Sequence, residues 1–179
     1  MTVNNALRRA PFVVGMGRSG TTLLRLMLDS HPLLAIPPET HFIGELVRGS
    51  RTGAIDVETF QEVLTSSRIW QDFDLDTTRL RQRLNTLPSF SVVEGLRCFY
   101  SLYAEAQNKL FWGDKTPIYL GLMRDIHCLL PEAFFIHLIR DGRDSALSYR
   151  GLWFGPGDDL ALRAKMCSER IIEGRHQAK

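Results

Sequence analysis

A glycine-rich stretch near the start of the chain, GMGRSGTT at residues 15–22, lies between two apolar runs of different character. The run before it, residues 11–14, is short and suits a β-strand, whereas the run LLRLML after it suits a helix. A strand, a glycine-rich turn and a helix in this order bring backbone N–H groups and a helix N-terminus together around an anion. The stretch therefore predicts an α/β fold that binds a phosphate-like group.

The loop differs from the pattern that binds nucleoside triphosphates, which reads G-x-x-x-x-G-K-[ST]. Gly15 and Gly20 have the correct spacing and Thr22 occupies the Ser/Thr position, but Thr21 stands where the lysine would be. The loop therefore suits a phosphate-like group, but not the β- and γ-phosphates of ATP with Mg²⁺. Arg18 is the cation inside the loop, and its planar fork of donors matches a tetrahedral oxyanion.

Length and charge limit the function classes. A chain of 179 residues is long enough for one domain, so we expect residues 1–179 to form a single P-loop domain. Its net charge of +2 gives no case for a general nucleic-acid or membrane-surface binder. Any basic site must therefore be local.

The cysteines and the apolar runs indicate the compartment. The three cysteines form no CxxC pair, which argues against a disulfide framework or a zinc site. No stretch approaches the roughly 20 apolar residues that span a bilayer. We therefore expect a cytoplasmic protein with no membrane span.

Strand-like and helix-like runs alternate along the chain. Strands are predicted at residues 11–14, 33–36 and 133–139, and residues 111–117 are predicted to be a short strand that runs into a loop. Helices are predicted at residues 20–29, at 39–47 and twice between 56 and 86, with Asp56 and Asp76 as N-caps. Further helices are predicted at about 92–103, at 119–130, after residue 144 to about 149 and from Asp158 onwards, and a loop is predicted at 49–53. The apolar run AFFIHLI at 133–139 is typical of a central parallel strand. The alternation predicts a P-loop-containing, three-layer α/β fold whose central, mostly parallel sheet is flanked by helices.

Three basic residues follow predicted strands closely. They are Arg18, Lys115 and Arg140. Because ligands of parallel α/β sheets bind beyond the carboxyl ends of the strands, we expect all three to face one crevice.

Three segments in order carry a family resemblance: residues 15–22, WGDKTP at 112–117, and residues 139–149. With the strings GRSGTTLLRLMLDSHP and PPETHF, they resemble sulfotransferases that use 3′-phosphoadenosine 5′-phosphosulfate (PAPS), in the bacterial and tyrosylprotein branch. The resemblance runs from about residue 11 to about residue 151, loosely between 50 and 110. Because members of that family are longer, the resemblance also implies that the C-terminal part of the family domain is missing.

The resemblance assigns the donor-binding residues. Arg18, Ser19, Gly20, Thr21 and Thr22 correspond to the loop that holds the 5′-phosphate and the sulfuryl oxygens. In the same way, the pair that binds the 3′-phosphate corresponds to Arg140 and Ser148, which stand eight residues apart. PAPS is therefore the expected co-substrate, and no metal is required.

The resemblance also assigns the reacting residues. Lys115 matches the lysine that approaches the oxygen bridging phosphorus and sulfur, and with Arg18 it would stabilise charge on the leaving phosphate. Glu39 matches the general base of the tyrosylprotein branch. The cytosolic branch instead uses a histidine two residues after the lysine, where this chain has Pro117.

The implied function is transfer of the sulfuryl group of PAPS to an acceptor hydroxyl on a sugar, a lipid, a small molecule or a tyrosine. One alternative is a non-catalytic relative that binds 3′-phosphoadenosine nucleotides, or a truncated inactive fragment. A P-loop kinase is a further alternative. It is disfavoured because Thr21 stands where the lysine of such a loop would be. A sheet with a missing edge would expose strand surface, so association into a homo-oligomer is a further expectation.

Each assigned residue also has a purely structural reading. Arg140 could pair with Asp141 or Asp144, Lys115 could be a solvated loop residue, and Ser148 could bond to its own helix backbone. Glu39 could simply be a carboxylate at a helix N-terminus. The rival bases are the histidines His31, His41 and His137.

Overall fold

The computed structural model describes residues 9–152, 157 and 159–178. Within these residues the elements follow in the order β1 (Ala10–Gly15), α1 (Thr21–Asp29), β2 (Leu34–Ala35), α2 (Ile43–Thr52), α3 (Val57–Thr65), α4 (Thr77–Asn85), α5 (Val92–Ala106), β3 (Phe111–Trp112), β4 (Asp114–Lys115), α6 (Met123–Leu129), β5 (Ala133–Leu138), α7 (Gly142–Ser148) and α8 (Leu160–Gln177). Turns of 3₁₀-helix occupy Trp70–Phe73 and Pro117–Leu122.

Strand β1 is the middle strand of the main sheet, with β4 on one side and β5 on the other, all parallel. Val13 lies opposite Lys115, and Gly15 lies opposite Leu138. Every residue of β1 is buried, which fits an apolar strand covered on both faces. The predicted α/β fold with a parallel sheet and flanking helices is confirmed.

The prediction that residues 133–139 form a central strand is wrong. In the part of the chain that the structure describes, β5 pairs only with β1 and lies at the sheet edge. Phe135 packs against Phe12 of β1, with ring centroids 5.8 Å apart, whereas Phe134 is 38% exposed. An apolar run therefore indicates that one face of the strand is buried, but it does not indicate how many other strands pair with it.

The short strands predicted at residues 33–36 and at the start of residues 111–117 are confirmed, and the structure shows that they form a separate parallel pair. Leu34 of β2 lies opposite Phe111 of β3, and Ala35 lies opposite Trp112. Gly113 N–H then donates to Ala35 O at 2.9 Å, which extends the pairing by one bond. As a result, the segment after β2 and the segment after β3 leave this small sheet side by side.

Both predicted N-caps in the helical middle of the chain are confirmed. The Asp56 side chain accepts a hydrogen bond from Thr59 N–H at the start of α3, and Asp76 accepts one from Thr78 N–H at the start of α4. Each such cap is typically worth about 1 kcal/mol because it satisfies an amide that the helix leaves unpaired.

The apolar stripe of α5 forms the centre of the core, as predicted. Its buried side chains include Leu96, Phe99, Tyr100 and Tyr103. Phe99 meets Phe42 edge to face at a centroid distance of 5.1 Å, and Tyr100 stacks on Trp112 at 4.6 Å. These contacts join α5 to strand β3 and to the segment that follows β2.

The helix predicted at 39–47 begins later and ends later. Helix α2 runs from Ile43 to Thr52, so the loop predicted at 49–53 is wrong and Glu39 lies outside any helix. The reason lies at Thr40, whose backbone N–H donates to the Thr116 hydroxyl and whose side chain donates to Asp114. Such side-chain bonds compete with helix formation.

Two other predicted boundaries change. Lys115 lies in the short strand β4, and not in a loop after residues 111–112. The helix predicted at 119–130 is a 3₁₀ segment, Pro117–Leu122, followed by α6, Met123–Leu129. The predicted start of the last helix, Asp158, lies outside the described residues, and α8 begins at Leu160 with Asp159 as its N-cap. None of the described helices combines the length and the apolar character that crossing a membrane requires.

Candidate active site

The loop between β1 and α1 has the backbone geometry of an anion cradle. Gly15 has φ 156°, and a Cβ atom there would lie 2.6 Å from the Leu138 carbonyl oxygen, so only glycine fits against β5. Gly20, the N-cap of α1, has φ 98°, a left-handed conformation that glycine adopts without strain. The two glycines therefore allow the chain to turn tightly from the strand into the helix.

The N-terminus of α1 is left open to an anion. Gly20 supplies no side-chain cap, and the first turn of the helix contains no acidic residue. The first amides of a helix have no partner within the helix, and the dipole there favours negative charge. The sequence thus leaves both the amides and the dipole available for an anionic group.

The three loop hydroxyls differ in their exposure. Ser19 is 7% exposed, and its hydroxyl donates to the Met16 carbonyl at 2.7 Å, so it closes the loop from inside. Thr21 is buried, whereas Thr22 is exposed at the first turn of α1. Of the three hydroxyls that the resemblance assigns to the donor, that of Thr22 lies most open to the solvent.

Arg18, Ser148 and Arg140 come together although they are far apart in the sequence. Arg18 Nε donates to Ser148 Oγ at 3.1 Å, and Arg140 Nη1 donates to the Arg18 carbonyl at 3.2 Å. Arg140 also lies 3.5 Å from Asp144 Oδ2, so the expected ion pair with that residue forms as well. Two guanidinium groups and a hydroxyl thus stand at the edge of the glycine loop.

Glu39 lies between two basic side chains. Its Oε1 is 2.5 Å from Lys115 Nζ, and its Oε2 is 3.1 Å from His41 Nε2. The Lys115 side chain is only 4% exposed, whereas that of Glu39 is 34% exposed. Glu39 can therefore be reached from solvent, while Lys115 is held beneath it.

These contacts set the charge of Glu39. Partial burial alone would raise the pKa of this carboxyl, but hydrogen bonds from His41 and Lys115 and their charges outweigh it, so the pKa is lowered. Glu39 is therefore ionised at neutral pH.

Left-handed backbone occurs at Arg18 and at His41. Arg18 has φ 67° and His41 has φ 51°. Residues other than glycine rarely adopt this region, and such conformations cluster at functional sites because the surrounding structure must enforce them. Both residues contact members of the predicted site, Arg18 through Ser148 and His41 through Glu39.

The strand register places the cluster of Arg18, Arg140 and Ser148 and the Glu39–Lys115 pair at the same end of the sheet, where the parallel strands terminate. Lys115 ends β4 opposite Val13, and Arg140 follows β5, whose Leu138 lies opposite Gly15. Arg18 follows β1 itself, between these two. Arg18 and Arg140 thus follow the carboxyl ends of neighbouring strands, and Lys115 is the last residue of the third strand; that all three face one crevice stays a prediction.

The other two rival histidines do not share the surroundings of Glu39. His31 Nδ1 accepts a hydrogen bond from Leu33 N–H at 3.2 Å, which places it in the turn after α1. His137 is half-buried within β5 beside Gly174 of α8, and burial lowers its pKa. Among the three, His41 is the histidine that contacts Glu39.

The sequence reasoning missed a buried hydrogen-bond network beneath Glu39 and Lys115. Asp114 is fully buried, and its Oδ2 accepts from the hydroxyls of Thr40 at 2.8 Å and Tyr100 at 2.9 Å. Burial raises the pKa of Asp114 to about 6, although hydrogen bonds from its neighbours oppose the shift. The available signal was the position of Thr40 and Asp114 directly beside Glu39 and Lys115.

A cavity among the described residues lies away from this site. A cavity of about 830 Å³ opens beside Ala10 and Ala133, the first residues of β1 and β5, at the opposite end of the sheet from the glycine loop. Arg97 on its wall already pairs with Glu94 and Glu132, each at 2.7 Å. This cavity is therefore not part of the candidate site.

Nowhere in residues 9–152, 157 and 159–178 do three or more His, Cys, Asp or Glu side chains come together in a group that could hold a metal ion.

Solved structures share this fold. The sulfotransferase domain from the Synechococcus PCC 7002 olefin synthase aligns with a TM-score of 0.56 and 22% identity, covering 95% of this chain and 60% of that one. The sulfotransferase domain from the curacin biosynthetic pathway aligns with a TM-score of 0.55 and 20% identity, covering 96% of this chain and 62% of that one. At this level of identity the likeness shows the fold.

Curated proteins are similar in sequence over most of this chain. The nodulation protein NoeE of Sinorhizobium fredii (strain NBRC 101917 / NGR234) is 31% identical over 146 residues, which are 81% of this chain and 32% of that protein. Human protein-tyrosine sulfotransferase 1 is 26% identical over 137 residues, which are 76% of this chain and 32% of the human protein. The chain thus spans about a third of the length of these relatives.

A family model described as "Sulfotransferase family" matches residues 11–161, from the first strand to the start of α8. The match includes the glycine loop, the Glu39–Lys115 pair and the Arg140–Ser148 segment. The chain therefore belongs to the sulfotransferase family.

Proposed function

We propose that this chain transfers the sulfuryl group of PAPS to an acceptor hydroxyl, with Glu39 as the general base. The observation that carries the proposal is the contact of a solvent-accessible carboxylate, Glu39, with a buried ammonium, Lys115, at the sheet edge that also bears the glycine loop. A base and a cation beside an anion cradle are the parts that in-line sulfuryl transfer needs.

The donor-binding end fits a ligand with two separate anionic groups. The open N-terminus of α1, with Gly20, Thr21 and Thr22, suits the 5′-phosphosulfate, with Ser19 closing the loop behind it. Arg18 lies at the edge of the loop, where its guanidinium can also neutralise charge on the leaving phosphate.

The second anionic group has its own set of donors. Arg140 and Ser148 both contact Arg18, so they stand near the first anion site but on different elements. An arginine fork and a hydroxyl suit a phosphate ester such as the 3′-phosphate. This arrangement supports a 3′-phosphorylated nucleotide as the donor.

Sulfuryl transfer resembles phosphoryl transfer, because charge spreads over equatorial oxygens while a nucleophile and a leaving group lie in line. The protein then contributes mainly by positioning and neutralising charge. Glu39 would accept the proton of the acceptor hydroxyl, and Lys115 would neutralise charge on the leaving phosphate. Removing one such donor typically lowers the rate by on the order of 10²–10³.

The contact between Glu39 and Lys115 couples these two roles. As long as Lys115 bonds to Glu39, it lowers the pKa of the carboxyl and weakens it as a base. When Lys115 turns towards the donor, Glu39 loses that bond and becomes a stronger base. Deprotonation of the acceptor is then favoured only when a donor is bound.

The acceptor carries a hydroxyl. The names of the similar proteins include protein-tyrosine sulfotransferases and a nodulation protein, so a tyrosine-containing peptide belongs in any acceptor panel together with sugars, lipids and small alcohols. The 34% exposure of the Glu39 side chain supports direct access by such a hydroxyl.

The test is label transfer from radioactive PAPS to this panel by the chain and by Lys115→Met. We expect transfer to at least one acceptor by the unmodified chain, and a loss on the order of 10²–10³ in rate for the variant. If a folded chain binds 3′-phosphoadenosine 5′-phosphate (PAP) but labels no acceptor in the panel, the activity is refuted and the non-catalytic alternative holds.

A further inference from the structure

Two residues that are adjacent in the chain, Glu39 and Thr40, each contact one member of another adjacent pair, Asp114 and Lys115. Glu39 contacts Lys115 at 2.5 Å, and the next residue, Thr40, contacts the preceding one, Asp114, at 2.8 Å. The first contact is partly open to solvent, whereas Thr40 and Asp114 are both 0% exposed. The reacting pair is thus backed by a second, fully buried pair.

The segment that bears Glu39 has no regular structure to fix it. It lies between β2, which ends at Ala35, and α2, which begins at Ile43. Its first residue, Ile36, bonds to side chains of α1, and next to Glu39 the segment is anchored at Thr40, whose backbone N–H donates to Thr116 Oγ1 at 2.9 Å. Because Thr116 directly follows Lys115, both side chains of the reacting pair are held by the same few atoms.

The hydroxyl protons in this network have a defined direction. The Ile43 N–H donates to the Tyr119 hydroxyl at 3.0 Å, and the Thr40 hydroxyl donates its single proton to Asp114. The Tyr119 hydroxyl, 2.8 Å from Thr40 Oγ1, must therefore donate to Thr40. The chain of donors runs from the start of α2 through Tyr119 and Thr40 to Asp114.

Such a network is sensitive to the loss of one member. In a buried site an unpaired polar group is costly, so each satisfied bond favours the arrangement that contains it. In the observed arrangement, Asp114 Oδ2 accepts from Thr40 and Tyr100, and Thr40 also contacts Tyr119 and Thr116, whereas Asp114 Oδ1 has no hydrogen-bond partner among the described residues.

We propose that Thr40 is a positioning residue, which holds Glu39 against Lys115 through its bonds to Asp114 and Thr116. The proposal rests on the proposed function, in which Glu39 is the base and Lys115 the cation. Thr40 touches neither substrate; it acts by fixing the backbone next to Glu39.

Tyr100 provides a matched control. Its hydroxyl donates at 2.9 Å to the same oxygen, Asp114 Oδ2, that accepts from Thr40. Thr40→Val and Tyr100→Phe each remove one hydroxyl that donates to this oxygen, and Thr40→Val also removes the acceptor of the Tyr119 hydroxyl. Only the first change lies beside Glu39, since Tyr100 belongs to α5.

The first readout needs neither donor nor acceptor. The pKa of Glu39 is measured by carbon NMR of its carboxyl, since the contacts with His41 and Lys115 keep it low. We expect Thr40→Val to move this pKa upwards, and Tyr100→Phe and Thr40→Ser to leave it in place. An equal shift in Thr40→Val and Tyr100→Phe, or none in either, would overturn the proposal.

The second readout is turnover by the same variants. A displacement of about 1 Å at a reacting group can cost about 10²-fold, so we expect kcat of Thr40→Val to fall by up to that factor. Thr40→Ser should restore kcat, and the affinity for PAP should change little. Unchanged kcat in a folded Thr40→Val would contradict the role.

Two measurements keep the result decisive. Thermal unfolding of each variant separates loss of fold from displacement. If Thr40→Val does not fold, Thr116→Val removes the acceptor of the Thr40 amide and keeps the bond from the Thr40 hydroxyl to Asp114. If the chain transfers no sulfate, the proposed function fails, but the Glu39 titration still reports whether Thr40 holds the pair together.

Discussion

Glu39 Oε1 lies 2.5 Å from Lys115 Nζ, although the two residues are separated by 76 positions in the chain. The contact forms because β2 and β3 pair, so that the segments that follow them, which bear Glu39 and Lys115, lie side by side. It joins a carboxylate that solvent can reach to an ammonium that it cannot. The catalytic proposal depends on this pair.

Removing the ammonium should change the titration of the carboxyl. In Lys115→Met, Glu39 loses one hydrogen bond and one nearby positive charge, both of which lower its pKa. We therefore expect the Glu39 pKa, measured by carbon NMR, to rise in this variant. As a control, Lys165→Met removes an exposed lysine of α8 and should leave the Glu39 titration unchanged. A Glu39 pKa that stays in place in Lys115→Met would show that the pair does not form in solution.

Neutralising the base should affect turnover and spare nucleotide binding. Glu39→Gln keeps the size of the side chain but cannot take up the acceptor proton, and general-base assistance is typically worth about 10²–10⁴ in rate. We expect kcat to fall within that range while the dissociation constant for PAP is nearly unchanged. Glu45→Gln, at an exposed position in the first turn of α2, is the matched control. Loss of PAP binding in Glu39→Gln would remove the assignment of Glu39 as the base.

Arg140 should distinguish two donors that differ by one phosphate. Arg140→Ala is expected to weaken binding of PAPS by about 10- to 100-fold, the range for hydrogen bonds to charged groups. Adenosine 5′-phosphosulfate, which lacks the 3′-phosphate, should be affected far less. Arg143→Ala is the control, because that side chain is 89% exposed and pairs with Asp141. Equal weakening of both donors in Arg140→Ala would contradict its role.

The buried carboxyl of Asp114 should make stability depend on pH. Its pKa rises from 3.8 to about 6 on folding because of burial, so between these values the folded state retains a proton that the unfolded state has lost. The stabilisation is fully present below the unfolded pKa and is lost as the pH rises through the folded pKa.

Asp114→Asn removes this titration and keeps an acceptor for Thr40 and Tyr100. Between about pH 4 and about pH 6.5, the free energy of unfolding of the unmodified chain should fall by about 2 kcal/mol relative to the variant. Urea unfolding at several pH values measures the difference. Parallel pH profiles for the two proteins would refute the raised pKa.

The sequence could predict the parts of the site whose causes are local. The glycines at 15 and 20 and the strand and helix around them lie within one short stretch, and so do Arg140 and Ser148. The family resemblance added roles for Glu39 and Lys115. The bond between them could not be predicted, because it depends on a strand pair of only two residues each.

Other features depended on the arrangement of the whole sheet. The apolar run of β5 did not indicate that β5 lies at the edge of the described sheet, because the order of strands depends on several segments and not on the sequence of one. Thr40 looked like the start of a helix, and only its bonds to Asp114 and Thr116, 74 and 76 positions away, explain why α2 begins at Ile43. Polar residues directly beside a predicted catalytic residue were the signal for this network.

Titration of the folded chain with PAP by calorimetry, with ATP as the control, examines the donor site itself. We expect micromolar binding of PAP and no binding of ATP, because Thr21 replaces the lysine that would reach the β- and γ-phosphates. Failure of a folded sample to bind PAP, or equal binding of ATP, would contradict the assignment of the glycine loop, Arg140 and Ser148 to a 3′-phosphoadenosine donor.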